Sequence, residues 1–136
     1  MGLILGTILA VAKAAKVVVK AIAVADIAIK TLKVVGNALV KLGKTLGLIK
    51  PETKVEDLGD KAIQSEYKPE DYNSYAEYVK AVEDYKLDPE KSKNISEEEK
   101  IKKGMELAAG AMIEKYGDLP MEELCTEIGK NPDFFT

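Results

Sequence analysis

The first fifty residues combine long apolar runs with single polar residues at regular intervals, and this pattern restricts the fold more than any other feature. Between Lys13 and Lys44 the polar positions recur about every 3.4 residues when the gap at Ala23 is counted as two steps, which is helical periodicity. Strand alternation is absent. The pattern predicts one long helix over residues 3–35, which Gly36-Asn37 bends or stops.

Such a helix is apolar around most of its circumference and must be enclosed by protein or lipid. The longest uncharged run, residues 1–12, is shorter than the ~20 residues that a spanning helix needs. A lone transmembrane helix is therefore disfavoured. The spacing Gly2-x-x-x-Gly6, extended by Ala10 and Ala14, is a close-packing motif and predicts a helix–helix contact there.

The lysines of this segment predict a stripe along one side of the helix. The lysine stripe consists of Lys13, Lys16, Lys20, Lys30, Lys33, Lys41 and Lys44. Three interpretations stay open at this point. The stripe is the solvated or acid-paired side of a buried helix, the side of a membrane-surface helix that faces anionic head groups, or the lining of an aqueous pore.

Charge divides the chain into two parts. Residues 1–50 contain eight lysines and one acid, a net charge of +7, whereas residues 51–136 contain twelve lysines and 22 acids, a net charge of −10. We interpret residues 1–50 as an apolar cationic segment for assembly or membrane binding, and residues 51–136 as an acidic helical domain. We expect that domain to stay a soluble monomer when residues 1–50 are deleted.

The acidic half has the start signals of ordinary amphipathic helices. The pairs Thr53/Glu56, Ser74/Glu77 and Ser96/Glu99 fit the capping box and predict helices near 54–66, 75–86 and 97–116. A further short helix is expected after Pro120. The predicted fold class is therefore all-α: a long apolar, lysine-striped N-terminal helix plus a small set of short amphipathic helices. Their predicted inward positions are Val55, Leu58, Ala62, Tyr75, Val79, Val82, Ile101, Met105, Ala108, Met112, Tyr116, Met121, Leu124, Cys125 and Ile128.

The composition argues against most site chemistry. The chain has no His and a single Cys, so neither a nucleophile–base pair nor a set of metal ligands is visible, and we predict no enzyme, no cofactor, no metal and no small-molecule substrate. All basic residues are Lys, which disfavours specific nucleic-acid recognition. No basic residue precedes the apolar run that begins at Leu3, so there is no convincing signal peptide; localisation stays open between membrane association and an exported assembly.

Three stretches carry a family resemblance: "LGLIKPETKVEDLGDKAIQ" (residues 46–64), "KPEDYNSYAEYVK" (68–80) and "NPDFF" (131–135). They resemble small uncharacterised helical proteins of low-GC Gram-positive bacteria. Because those proteins have no motif of known chemistry, the resemblance implies neither an activity nor a site residue.

These observations lead to two functional hypotheses. The first is a structural or interaction protein that self-assembles into a homo-oligomer through its apolar N-terminal helix, as a filament, tube, ring or secretion-type assembly. The acidic helices of one copy would then neutralise the lysine stripe of another. The second is a membrane-active protein whose N-terminal helix binds, or inserts as an oligomer into, anionic membranes.

Overall fold

The computed structural model describes residues 2–24 and 29–116, and within them the side chains of residues 8–20 and 32–115. The fold is all-α, as the sequence predicts, and no strand occurs in the described ranges. Its elements are α1 (Gly2–Val24), α2 (Ile29–Thr45), α3 (Val55–Ser65), a 3₁₀ turn (Pro69–Asp71), α4 (Tyr75–Glu83), α5 (Pro89–Ser92) and α6 (Glu97–Tyr116). The inward residues predicted at position 116 and beyond Pro120 lie outside the described side chains.

Helix α6 is the axis of the fold. Helices α1, α2, α3 and α4 all pack against it. From Gly104 to Met112, only Glu106 keeps appreciable exposure. Within one chain, α6 is the helix that is enclosed on most sides, because its many Gly and Ala residues let neighbouring helices approach it from several directions. Enclosure of the N-terminal helix by other copies or by lipid stays a prediction.

The described parts of the N-terminal segment are helical, as α1 and α2. We predicted one helix over residues 3–35, and the junction that decides between one helix and two, residues 25–28, lies outside the described residues. Both α1 and α2 pack against α6. Buried residues run from Ile8 in α1 to Val40 in α2.

Helix α2 passes through Gly36-Asn37, where we predicted a bend or stop, and continues to Thr45. A Cβ atom at Gly36 would lie 3.1 Å from side-chain atoms of Ile101 and Val55. The glycine thus allows α2 to approach α6 and α3 closely. The actual end of α2 involves Gly47, which has a φ of 76° and donates its N–H to Lys44 O at 3.1 Å.

One hydrophobic core includes residues from both the cationic and the acidic part of the chain. Helix α1 contributes Ile8, Val11, Ala12, Ala15, Val18 and Val19. Every inward position that we predicted between Val55 and Met112 is buried. Deletion of residues 1–50 would remove α1 and α2 and expose the sides of α6 that they cover. We therefore now expect the shortened chain to be unstable or to aggregate, and not to stay a soluble monomer.

Two of the three predicted capping boxes begin helices. Ser74 Oγ accepts the N–H of Glu77 at 3.1 Å, and Ser96 Oγ accepts the N–H of Glu99 at 3.1 Å. The prediction at Thr53 is wrong, because α3 begins after Lys54 without a side-chain cap. The Thr53 hydroxyl instead donates to the buried carboxylate of Glu83 at 2.8 Å, a long-range acceptor that the local sequence does not reveal.

Helix α4 is fixed to α6 by its first residue. The carboxylate of Glu114 accepts the N–H groups of Tyr75 and Ala76, so that α6 supplies a second cap of α4 in addition to Ser74. The ring of Tyr75 lies over Gly110, and its hydroxyl donates to Glu106 O at 3.3 Å. Tyr75 and Tyr78 are fully buried, and this burial raises the pKa of both phenols.

Candidate interaction surface

Helix α1 presents a cationic side to solvent, opposite the side that packs on α6. We call this surface the outer face of α1; it consists of Leu9, Ala10, Lys13, Lys16, Val17 and Lys20. All six side chains are exposed. At 100° per residue, Lys13, Lys16 and Lys20 fall within about 60° of one another around the helix axis. The predicted stripe therefore exists on α1 as a line of three charges.

Two large apolar side chains lie beside these charges. Leu9 is 46% exposed and Val17 is 62% exposed. Lys13, Lys16 and Lys20 form no ion pair with any residue that the structure describes. Cations without a nearby acid, together with uncovered apolar side chains, are features of a surface that binds an anionic partner.

The rest of the predicted stripe lies on α2 and behaves differently. Lys33 is exposed and pairs with Glu97 at the start of α6, with 3.4 Å between Nζ and Oε1. Lys41 is exposed, and Lys44 is half-buried beside a cleft. Lys30 belongs to α2, but its side chain lies outside the described ones. Lysine–acid pairing therefore occurs within one chain, at Lys33.

The residues of the predicted close-packing motif occupy α1. Ala10 is exposed and Ala14 is half-buried, whereas the surroundings of Gly2 and Gly6 lie outside the described part. The closest helix contact through glycines in the described structure is the crossing of α3 and α6. A Cβ at Gly59 would overlap the backbone carbonyl of Lys100, and a Cβ at Gly104 would overlap that of Val55.

A buried polar network joins α3, α5 and α6. Asp60 is 3% exposed. Its Oδ2 accepts the hydroxyl of Ser92 and lies 3.7 Å from Lys100 Nζ, while its Oδ1 accepts Gln64 Nε2 at 2.8 Å. Gln64 also binds the backbone of Asp88 through both amide atoms. The network fixes the short α5 segment against the core.

Ser92 and Lys100 also have the composition of a catalytic serine–lysine pair, with 2.9 Å between Oγ and Nζ. The hydrogen bonds give them a different role. Ser92 donates its hydroxyl to Asp60, and Asp60 also pairs with Lys100, so the three groups satisfy one another between α3, α5 and α6. The arrangement supports a structural interpretation of the network.

Replacing Asp60 by alanine is expected to lower the free energy of unfolding by about 2–4 kcal/mol, since it removes the carboxylate that pairs with the largely buried Lys100 ammonium and accepts hydrogen bonds from Ser92 and Gln64. Urea denaturation followed by circular dichroism measures this change. Asp71→Ala is the matched control at an exposed position, with an expected change within about 0.5 kcal/mol. Equal effects of the two substitutions would contradict the assigned role of Asp60.

The loop after α2 is held on α4 by a second buried carboxylate. Glu83 Oε2 accepts the backbone N–H of Lys50 at 2.9 Å and the hydroxyl of Thr53 at 2.8 Å. Lys50 Nζ pairs with Asp84 at 2.7 Å, which raises the pKa of Lys50 and lowers that of Asp84. These bonds shape an open cleft of about 440 Å³ between the loop and α4.

Two features of the described part of the chain concern membranes and metal ions. None of its helices is both long enough and apolar enough to cross a membrane. Its Asp and Glu side chains do not cluster in a way that would hold a metal ion. Cys125 lies outside the described residues.

Comparisons of the chain with protein-family models, with curated proteins and with solved structures found no match.

Proposed function

We propose that this chain is a non-enzymatic interaction protein that self-associates through the outer face of α1. The observation that carries the proposal is the line of Lys13, Lys16 and Lys20, which has no acidic partner among the described residues and lies beside exposed Leu9 and Val17. The acidic remainder of the chain, with a net charge of −10 over residues 51–136, supplies a complementary surface on a second copy.

The size of the surface determines how strong such an association is. Among the described side chains of α1, the outer face comprises six residues, whereas stable interfaces use roughly 20–30 residues on each side. Because most of its contacts are between charges in water, we expect weak association that salt suppresses. This proposal replaces burial of the whole N-terminal segment between copies, since α1 and α2 already bury their apolar sides on α6.

Sedimentation velocity over a range of protein concentrations tests the proposal. At low salt we expect the sedimentation coefficient to rise with concentration, and at high salt we expect a monomer. The triple variant Lys13→Gln, Lys16→Gln, Lys20→Gln should stay monomeric at low salt. The triple variant Lys68→Gln, Lys86→Gln, Lys91→Gln removes the same charge from exposed positions in the acidic part and should still associate.

A wild-type chain that stays monomeric at every concentration in low salt would contradict self-association. Loss of association in both triple variants would contradict the assignment to α1. In that second case net charge, and not the outer face of α1, would control the equilibrium.

One observation favours a second candidate, binding to an anionic membrane surface. Exposed Leu9 and Val17 beside lysines are the combination that interfacial helices use. The larger apolar side of α1 is occupied by α6, so this contact would be shallow and mainly electrostatic. Flotation with vesicles containing phosphatidylserine, compared with pure phosphatidylcholine, tests it; equal recovery with both vesicles would contradict it.

A further inference from the structure

The cleft beside α4 has two walls, one formed by α4 and the other by the loop after α2. On α4, Ala76, Lys80 and Glu83 are spaced four and three residues apart, so they share one side of the helix, and all three line the cleft. The opposite wall is the loop after α2, including Leu48 and Ile49. The volume of about 440 Å³ lies within the range of small-molecule sites, about 300–1,000 Å³.

The loop wall is held in place by hydrogen bonds to Glu83, and these bonds use neither Lys44 nor Lys80. Glu83 is 7% exposed, and its Oε2 is occupied by Lys50 N–H and Thr53 Oγ1. Lys61 Nζ donates to the backbone carbonyl of Glu83 at 2.9 Å. The cleft is thus preformed, which lowers the entropy cost of binding a ligand.

The charged residues that line the cleft determine which kind of ligand it would bind. Lys50 is occupied by Asp84, but Lys44 on α2 and Lys80 on α4 form no ion pair with a described residue. Lys80 is close enough to Asp84 to help lower the pKa of that carboxyl group, although Lys50 is the main cause. Besides the Lys50–Asp84 pair, the cleft is thus lined by two lysines and one carboxylate, that of Glu83, which is already occupied by Lys50 N–H and Thr53 Oγ1, together with apolar side chains.

We infer that this cleft binds a small organic anion, with its acidic group between Lys44 and Lys80 and its apolar part against Leu48, Ile49 and Ala76. The two lysines supply charge-assisted hydrogen bonds, and the apolar wall distinguishes an amphipathic acid from a simple inorganic ion. This site is separate from the outer face of α1 and does not depend on self-association.

Amide chemical shifts of the full chain, followed in ¹H–¹⁵N spectra during titration, test the inference with three probes. Octanoate has both the anion and the apolar part, inorganic phosphate has only the anion, and 1-octanol has only the apolar part. Octanoate should cause saturable shifts at Leu48, Ile49 and Ala76. Phosphate and 1-octanol should bind at least about tenfold more weakly, because each lacks one set of contacts.

Single substitutions test whether Lys44 and Lys80 bind the carboxylate of octanoate. Lys44→Gln and Lys80→Gln should each weaken octanoate binding about tenfold, with spectra that otherwise show an intact fold, whereas Lys68→Gln should leave it unchanged. No saturable shift at the cleft would overturn the inference. Binding of 1-octanol or of phosphate as tight as that of octanoate would also overturn it. The same holds if neither Lys44→Gln nor Lys80→Gln changes the affinity for octanoate.

Discussion

Replacing Gly59 by alanine is expected to lower the free energy of unfolding by about 3 kcal/mol, the largest effect that we expect from adding a single methyl group. The new Cβ would overlap the backbone carbonyl of Lys100, where α3 crosses α6. Backbone on both sides of the contact cannot rotate away as a side chain does, so the two helices must separate. Gly104→Ala, which would meet the carbonyl of Val55, should have a similar effect.

Gly43→Ala is the matched control, because its Cβ would meet only the flexible Ile49 side chain. Alanine gains up to about 1 kcal/mol of helix propensity over glycine, which offsets part of that contact. We expect a net change within about 1 kcal/mol at this position. Urea denaturation followed by circular dichroism compares the three variants. If Gly59→Ala and Gly104→Ala are as stable as Gly43→Ala, a close crossing of α3 and α6 is ruled out.

Ala15→Asp is the second substitution with a large expected effect, about 3–5 kcal/mol, because it places an unpaired carboxylate in the contact between α1 and the core. Ala15 is fully buried. Ala10→Asp makes the same change on the exposed side of the same helix, and we expect it to alter the stability by no more than about 0.5 kcal/mol.

The comparison is made by urea denaturation at high salt and low protein concentration, so that self-association does not contribute. Equal stability of Ala15→Asp and Ala10→Asp would mean that α1 is not docked on its own chain. A loss restricted to Ala15→Asp supports the intramolecular contact. The pair therefore separates the packing side of α1 from its outer face.

Local signals in the sequence predicted the helices and their buried sides well. The caps at Ser74 and Ser96 and the apolar spacing of Val79 and Met105 depend on residues three or four positions apart, and the structure confirms them. Thr53 shows the limit of this reasoning. Its local partner would have been Glu56, but Glu83, thirty residues away, accepts its hydroxyl.

The arrangement of the helices was harder to predict, because periodicity reveals which side of a helix is apolar but not what covers it. The apolar segment at the N-terminus suggested that α1 would be enclosed by other copies or by lipid. Within one chain, α6 is the enclosed helix, although its small residues give it an ordinary amphipathic pattern. Gly59 and Gly104, whose close approach requires the absence of side chains, were the available signal for that crossing.

The candidate surface could be predicted in part. The lysine spacing groups Lys13, Lys16 and Lys20 on one side of α1, and all three side chains are exposed. It did not separate these residues from Lys33, which pairs with Glu97, or from Lys44, which lines the cleft. Those differences arise from the positions of α2 and α6 in space.

The account depends most on one claim, that α1 packs on α6 within a single chain and leaves only its outer face for a partner. Native-state amide hydrogen exchange of the monomer, at high salt, measures this directly. We predict that amides of residues 11–19 in α1 are strongly protected, as are those of residues 105–112 in α6. Rapid exchange throughout α1, with α6 still protected, would contradict the claim.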